Sequence, residues 1–288
     1  MLIKKLTNPS EEITKEIREV ERVCKEYDIL NGNLFLDTSI NCNLDIKSIF
    51  LIYEDNQLVS LISMFIPTRE EAEISAYTLP EYRRKGYFKR LLVEAIEEVK
   101  KYNIQDLIFV CEPQSKDGKE TIKNLNVELD FTEYFLRFKD LSNDMEIQQV
   151  SEIKLYKAEQ KELEAIINLN QEIFNDDYAD AKSMVTRSFE ADNRVQYIAK
   201  LDEKLIGIGS VSVENDEASI YGVGISKQYQ GKGLGREMMN LILKDLKREG
   251  IENITIEVDS GNEIAFSLYK KCGFQVEASF DYYRKSVI

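Results

Sequence analysis

Apolar residues return at helical spacing in the stretch 234–249, where Met238, Met239, Ile242, Leu243 and Leu246 fall on one face. The spacing predicts an amphipathic helix there. Just downstream the period changes to two. In Ile254-Thr255-Ile256-Glu257-Val258 the aliphatic residues share one face, and Thr255 and Glu257 share the other. A strand over 253–259 follows. The same reading predicts helices over 160–174, 179–190 and 262–271, strands over 195–200, 204–214 and 218–225, and closing strands over 274–279 and 282–287. In the first half, helices are expected at 11–27 and 88–102, with a meander of strands between them. The short polar segments Glu54–Gln57 and Asp202–Lys204 suit hairpin turns. Helices, a strand meander, a long helix, a strand, a helix and closing strands make an α/β domain with a mixed sheet.

That order occurs twice. The stretches 73–86 and 220–233 align without a gap at an offset of 147, with Tyr82 opposite Tyr229, Lys85 opposite Lys232 and Gly86 opposite Gly233. A repeat of this length predicts two related domains, 1–145 and 146–288. The polar segment Asp140–Gln149 contains neither Pro nor Gly and is the expected linker, short enough for the domains to pack together.

Composition narrows the chemistry. Among 288 residues, 43% are hydrophobic and 31% charged, which is globular material with enough apolar residues for a core in each half. No run approaches the roughly 20 apolar residues of a membrane span, and the first residues lack the apolar core of a signal peptide. A soluble cytoplasmic protein is expected. The net charge of −14 disfavours nucleic acid as a partner. The four cysteines, Cys24, Cys42, Cys111 and Cys272, have no metal-ligand spacing and read as reduced thiols; no metal is expected. There is no histidine, which removes Ser-His and Cys-His pairs. A general base must then be a carboxylate, a tyrosine, a lysine, a terminus or a held water.

The most informative run is Gln230-Gly231-Lys232-Gly233-Leu234-Gly235, between a predicted strand and a predicted helix. Glycines at that junction expose backbone N–H groups beside the positive end of a helix, a fit for a pyrophosphate. Taken alone, such a turn is equally a tight turn. No Lys-Ser/Thr pair ends it, so it is not a nucleotide-triphosphate loop, and it does not open a βαβ unit. The pattern Gln/Arg-x-x-Gly-x-Gly/Ala, preceded by Tyr229 and followed by an amphipathic helix, resembles the acetyl-CoA loop of the GNAT superfamily of N-acetyltransferases. Downstream, Asn262, Ala265, Leu268, Tyr269, Gly273 and Phe274 resemble that family's Asn-x-x-Ala-x-x-Leu-Tyr-x-x-x-Gly-Phe motif. The resemblance covers most of the C-terminal half. It implies two tandem GNAT-like acyl-CoA N-acyltransferase domains, each with a mixed, mostly antiparallel sheet flanked by helices.

By the same resemblance the cosubstrate is acetyl-CoA, bound by Gln230 to Gly235 with Arg236. The strand edge at Val223, Gly224 and Ile225 would pair with the pantetheine amides and hold an N–H near the thioester carbonyl. Asn262 would bond the pantetheine arm, and Tyr269 would stand near the sulfur as the acid. Glu257 is the candidate base or, alternatively, a solvated strand glutamate, with Glu214, Asp216 and Glu217 as further candidates. Its spacing of 12 from Tyr269, and the Tyr282-Tyr283 pair, resemble ribosomal-protein N-terminal acetyltransferases.

The first half departs from the pattern. Phe88 stands opposite Gly235 and Val110 opposite Glu257; aligning Asp130-Phe131 with Gly273-Phe274 puts Asn126 opposite Tyr269. This half is expected to be a diverged, non-catalytic domain, in which Arg83, Arg84 and Lys85 either grip phosphates or form a solvated basic turn. The function expected is direct transfer of acetyl to a primary amine, on a small molecule or a protein. The alternative is a non-catalytic acyl-CoA-binding or sensing protein.

Overall fold

The computed structural model describes residues 1–139, 153–214 and 216–287. The expected linker and the expected boundary between residues 145 and 146 lie outside them. The chain forms two compact units, Met1–Thr132 with Ala278–Ile288, and Glu133–Glu277.

The first unit opens with β1 (Leu2–Leu6) and α1 (Glu11–Asp28), whose N-cap Ser10 accepts from the N–H of Ile13. The antiparallel β2 (Ile49–Glu54), β3 (Gln57–Phe65) and β4 (Glu71–Thr78) follow. Then come α2 (Tyr87–Lys101), β5 (Asp106–Cys111) and α3 (Lys116–Leu125). Five consecutive residues of β2 are buried, because α1 and α2 contribute to one core around these strands. β5 runs parallel to β4 through the rungs Glu71↔Asp106 to Ile74↔Phe109.

β6 (Glu128–Phe138) begins in the first unit and ends in the second. The second unit continues with β7 (Lys154–Lys157), α4 (Leu163–Phe174), α5 (Tyr178–Glu190), β8 (Arg194–Leu201), β9 (Lys204–Glu214) and β10 (Glu217–Ile225). Next are α6 (Leu234–Arg248), β11 (Asn253–Asp259) and α7 (Glu263–Lys271). Its sheet runs β6-β11-β10-β9-β8-β7. All neighbours are antiparallel except β10 and β11, which are parallel. One face carries α6 and α7 over Ile254, Ile256 and Val258; the other carries α4 and α5 over Ile198 and Ile208.

The two units do not follow one another along the chain. Each unit takes its last strand from the other half of the chain. Residues 133–137 of β6 pair with β11 in the second unit. Residues 281–286 of β12 (Phe274–Ser286) pair with β5 in the first. The two expected closing strands are therefore one. Neither Gly nor Pro stands at Phe280-Asp281, and the Asp281 carboxylate accepts from Thr132 Oγ1 at 2.8 Å instead of closing a turn, so the strand runs on from one unit to the other.

Candidate active site

The parallel pair β10–β11 holds together for only four rungs, Glu217↔Asn253 to Ile220↔Ile256. Beyond them the strands part. Tyr221 to Ile225 continue beside β9 alone, and Glu257 to Asp259 continue beside β6 alone. Parallel strands that separate leave unpaired N–H and C=O groups along both lips, and a ligand with amide groups can satisfy them. Ser219 and Thr255 pair their hydroxyls at 2.9 Å just before the split.

β10 carries a bulge at the split. Tyr221 faces Ser210 and Gly224 faces Ile208, three steps on β10 against two on β9. Gly222 takes φ +57, in the left-handed region. Gly224 is required for a different reason: a Cβ there would lie 2.4 Å from Ile173 of α4. In the first unit β4 pairs β3 in continuous register. The gapless alignment of 73–86 with 220–233 is thus corrected. Ile74 and Ile220 occupy the last rung of their parallel pairs, and β10 holds one residue more between that rung and the glycine before the helix.

The glycine turn follows. Gly233 caps α6 with φ +82 and no side-chain hydrogen bond, and Gly231 has φ +76. A Cβ at either would meet nothing within 4 Å, so the turn opens to solvent. The first N–H groups of an α-helix have no acceptor of their own, and a glycine N-cap has no side chain to offer them. Lys232 stacks over Tyr229 at 5.3 Å, and Arg236 lies exposed in the first turn of α6. A cation in a first turn opposes the helix dipole unless an anion joins it. This donor set fits the phosphates of a CoA. Gln230 has another task. Its Nε2 donates to the carbonyl of Ile225 at 2.8 Å and ties the turn to the end of β10. Leu234 is buried below, and Gly235 leaves ordinary contact distances to Leu268 and Ile225.

Asn262 is the N-cap of α7; its Oδ1 accepts from the N–H of Ala265 at 3.0 Å. Its amide hydrogens are left free of that cap and can meet a ligand. Tyr269 packs in the core on the α6–α7 face, 6% exposed, with its ring 6.2 Å from that of Phe274. Its hydroxyl has no hydrogen-bond partner among the described residues. Burial, with the Cys272 thiol beside it, pushes that hydroxyl up to about 12. It keeps its proton at neutral pH and is able to donate.

Glu257 stands on the opposite face of the sheet, at the first position past the split. Surrounding protein mass, then the charges of Glu133 and Glu217, push its carboxyl up to about 7. The side chain itself remains exposed to water. Glu217 is held by Arg137, which also bonds Glu277. Glu214 and Asp216 lie at the far end of β10, away from the split.

Two readings of the first half change, and a third concerns the end of the chain. Ser115 caps α3 as Asn262 caps α7, at the offset of 147. Tyr269 therefore corresponds to Ile122, buried in the first core, and not to Asn126, which is the left-handed C-cap of α3. Arg83, opposite Gln230, is not a free phosphate ligand. It donates to the Thr78 carbonyl at 3.0 Å and pairs with Asp28 and Asp117. The Tyr282-Tyr283 pair belongs to the first unit, where Tyr282 faces Val110 and stacks on Phe131 at 4.4 Å.

The sequence pattern of the acetyltransferase (GNAT) family matches twice, over residues 14–118 and 163–274. The chain belongs to the acetyltransferase (GNAT) family. Each unit is thus built on one GNAT copy. A mycothiol acetyltransferase from Corynebacterium glutamicum is 34% identical over 84 residues, 29% of this chain and 29% of that protein. A [ribosomal protein bS18]-alanine N-acetyltransferase from Escherichia coli is 30% identical over 71 residues, 25% of this chain and 48% of that protein. The matches span less than a third of the first relative and about half of the second. A GCN5-related N-acetyltransferase from Sphaerobacter thermophilus shares the fold across 99% of this chain and 95% of its own, with TM-score 0.76 at 13% identity. A tandem GNAT protein from the clavulanic acid biosynthesis pathway covers 100% of this chain and 98% of its own, with TM-score 0.71 at 12% identity.

Proposed function

We propose that the second GNAT unit transfers an acetyl group from acetyl-CoA to a primary amine by direct attack, and that the first unit is not catalytic. The observation that carries this reading is the split between β10 and β11, with Tyr269 on one face of the sheet and Glu257 on the other. Acetyl-CoA would supply an activated thioester at the gap. The chain supplies the rest. The α6 N-terminus with Lys232 and Arg236 holds the phosphates. The unpaired lip at Val223, Gly224 and Ile225 aligns the pantetheine, and an N–H of the bulge stabilises charge gathering on the carbonyl oxygen. Asn262 donates its amide hydrogens to the arm. Glu257, with a carboxyl poised near neutrality, accepts a proton from the incoming ammonium directly or through water. Tyr269 donates toward the departing sulfur from the opposite side.

The acceptor is an amine on a small molecule or a protein. The bS18-alanine enzyme among the relatives makes a protein α-amine one candidate. Free thiols at all four cysteines fit a reducing, cytoplasmic setting, and no described helix is long and apolar enough to cross a membrane. The test is an amine library incubated with acetyl-CoA while thiol release is followed. Release that depends on one amine class, with the acetyl group recovered on that amine, is expected. Acetyl-CoA binding without release for any amine would favour a binding or sensing role instead.

A further inference from the structure

The bulge in β10 places the N–H groups on which the proposed chemistry depends, yet an extra residue in a strand has no ladder partner to fix it. α4, α5 and β8 supply the fixation from outside the strand. Glu172 of α4 accepts from Ser226 Oγ at 2.7 Å and from the Lys227 N–H at 3.0 Å, pinning the strand just after the bulge. Ile173 fills the space over Gly224. The first residue of the bulge is Tyr221. Its hydroxyl lies 3.0 Å from Ser188 Oγ on α5 and accepts from Arg194 Nη1 at 2.9 Å, and the guanidinium lies 5.5 Å from the ring centre. A phenol held at its tip by two groups on two other elements has little freedom left at χ1 and χ2. The backbone that bears it is fixed in turn.

We propose that Tyr221 is a positioning residue. Its hydroxyl, clamped by Ser188 and Arg194, sets the bulge so that the following N–H groups face the split. β4 of the first unit has neither the extra residue nor the register break. The device belongs to the unit with the candidate acid and base.

The inference rests on the reading of the split as the acetyl-CoA site, and the experiment separates the two. The carbonyl stretch of [1-¹³C]acetyl-CoA is measured by infrared difference spectroscopy, free and bound, for the parent and for Tyr221→Phe. A donor N–H on the carbonyl lowers the frequency. The parent is expected to show this red-shift. Tyr221→Phe is expected to lose at least half of it while binding acetyl-CoA within about threefold of the parent. Turnover on any accepted amine should fall about tenfold with the amine KM unchanged, in the range of single donor and proton-transfer effects. A parent that binds without any shift overturns the underlying site reading. A parental shift kept in full by Tyr221→Phe overturns the positioning role, and so does an unchanged shift with a raised amine KM, which would place Tyr221 against the acceptor. Should Tyr221→Phe melt well below the parent, Ser188→Ala leaves the tyrosine in place, removes one partner, and carries the same comparison.

Discussion

Arg83 and Asp117 form a 2.8 Å ion pair across the glycine turn of the first unit, and Asp28 holds the other edge of the same guanidinium at 2.6 Å. The positions 147 residues on are Gln230 and Ile264; the first only ties down its own strand end, and the second is 87% exposed. The latch places two carboxylates where the second unit leaves room for an anion. A chain with one open turn should bind one CoA. Gly233→Val forces a β-branched residue to φ +82, a strain of about 1–2 kcal/mol, and adds bulk at the phosphates. Calorimetry should show one CoA per parent chain and at least tenfold weaker binding in the variant. Undiminished affinity in Gly233→Val would move the site elsewhere.

Tyr269→Phe keeps the ring and its packing on Phe274 and removes a hydroxyl with no partner among the described residues. Stability should change little. Turnover should fall by on the order of 10²-fold, the lower end for loss of a positioned proton donor. Acetyl-CoA affinity should stay within about threefold. A turnover within a factor of two of the parent would remove Tyr269 from the chemistry.

Glu257 yields a pH signature in two observables. Its folded carboxyl, at about 7, lies above the ordinary unfolded value of about 4.3, so the folded state holds the extra proton between them. The associated stability is present below about pH 4.3 and is lost as pH rises through about 7. The melting temperature of Glu257→Gln should therefore gain on the parent as pH rises from 5 to 8. As a base, Glu257 must be ionised, so the parent's rate should show an inflection near pH 7 that Glu257→Gln lacks. A parallel pair of melting curves at both pH values would contradict the shift.

Gly32 tests the exchange of closing strands. A Cβ at this position would lie 2.4 Å from the Phe280 ring and 3.2 Å from the Glu112 carboxylate. Phe280 is close to the C-terminus, yet it belongs to the first unit. Gly32→Ala should cost about 1–3 kcal/mol through overpacking. Combined with Phe280→Ala, the cost should shrink, giving a coupling of about 0.5–3 kcal/mol in a double-mutant cycle. Strict additivity in urea melts would show that the two residues do not meet.

Much was legible along the chain. The 3.6-residue period of Met238, Met239, Ile242, Leu243 and Leu246 predicts α6, and all five are buried. The period of two in 254–258 predicts β11 and which of its faces is apolar. The glycines of the turn predict positive φ, and Gly231 and Gly233 have it. These features are local. A helix stripe, a strand's alternation and a left-handed turn are each written within a few residues by sterics and burial. The family follows from them, because the motif residues stand at fixed spacing on such elements.

What the chain alone did not show is which strands lie beside which. Phe274–Ser286 reads the same whether it pairs within its own half or with β5, since either neighbour offers a ladder of backbone groups and an apolar face. Pairing partner, the place where β10 and β11 part, and the one-residue bulge at Tyr221 are set by backbone hydrogen bonds between distant segments. Those bonds are blind to side-chain identity. Arg83 likewise reads as a basic surface residue until Asp28 and Asp117 are brought around it. Sequence fixes local conformation through sterics and hydrophobic period. Partnership between remote segments is a choice among near-equal ladders, and only the packed tertiary structure makes it.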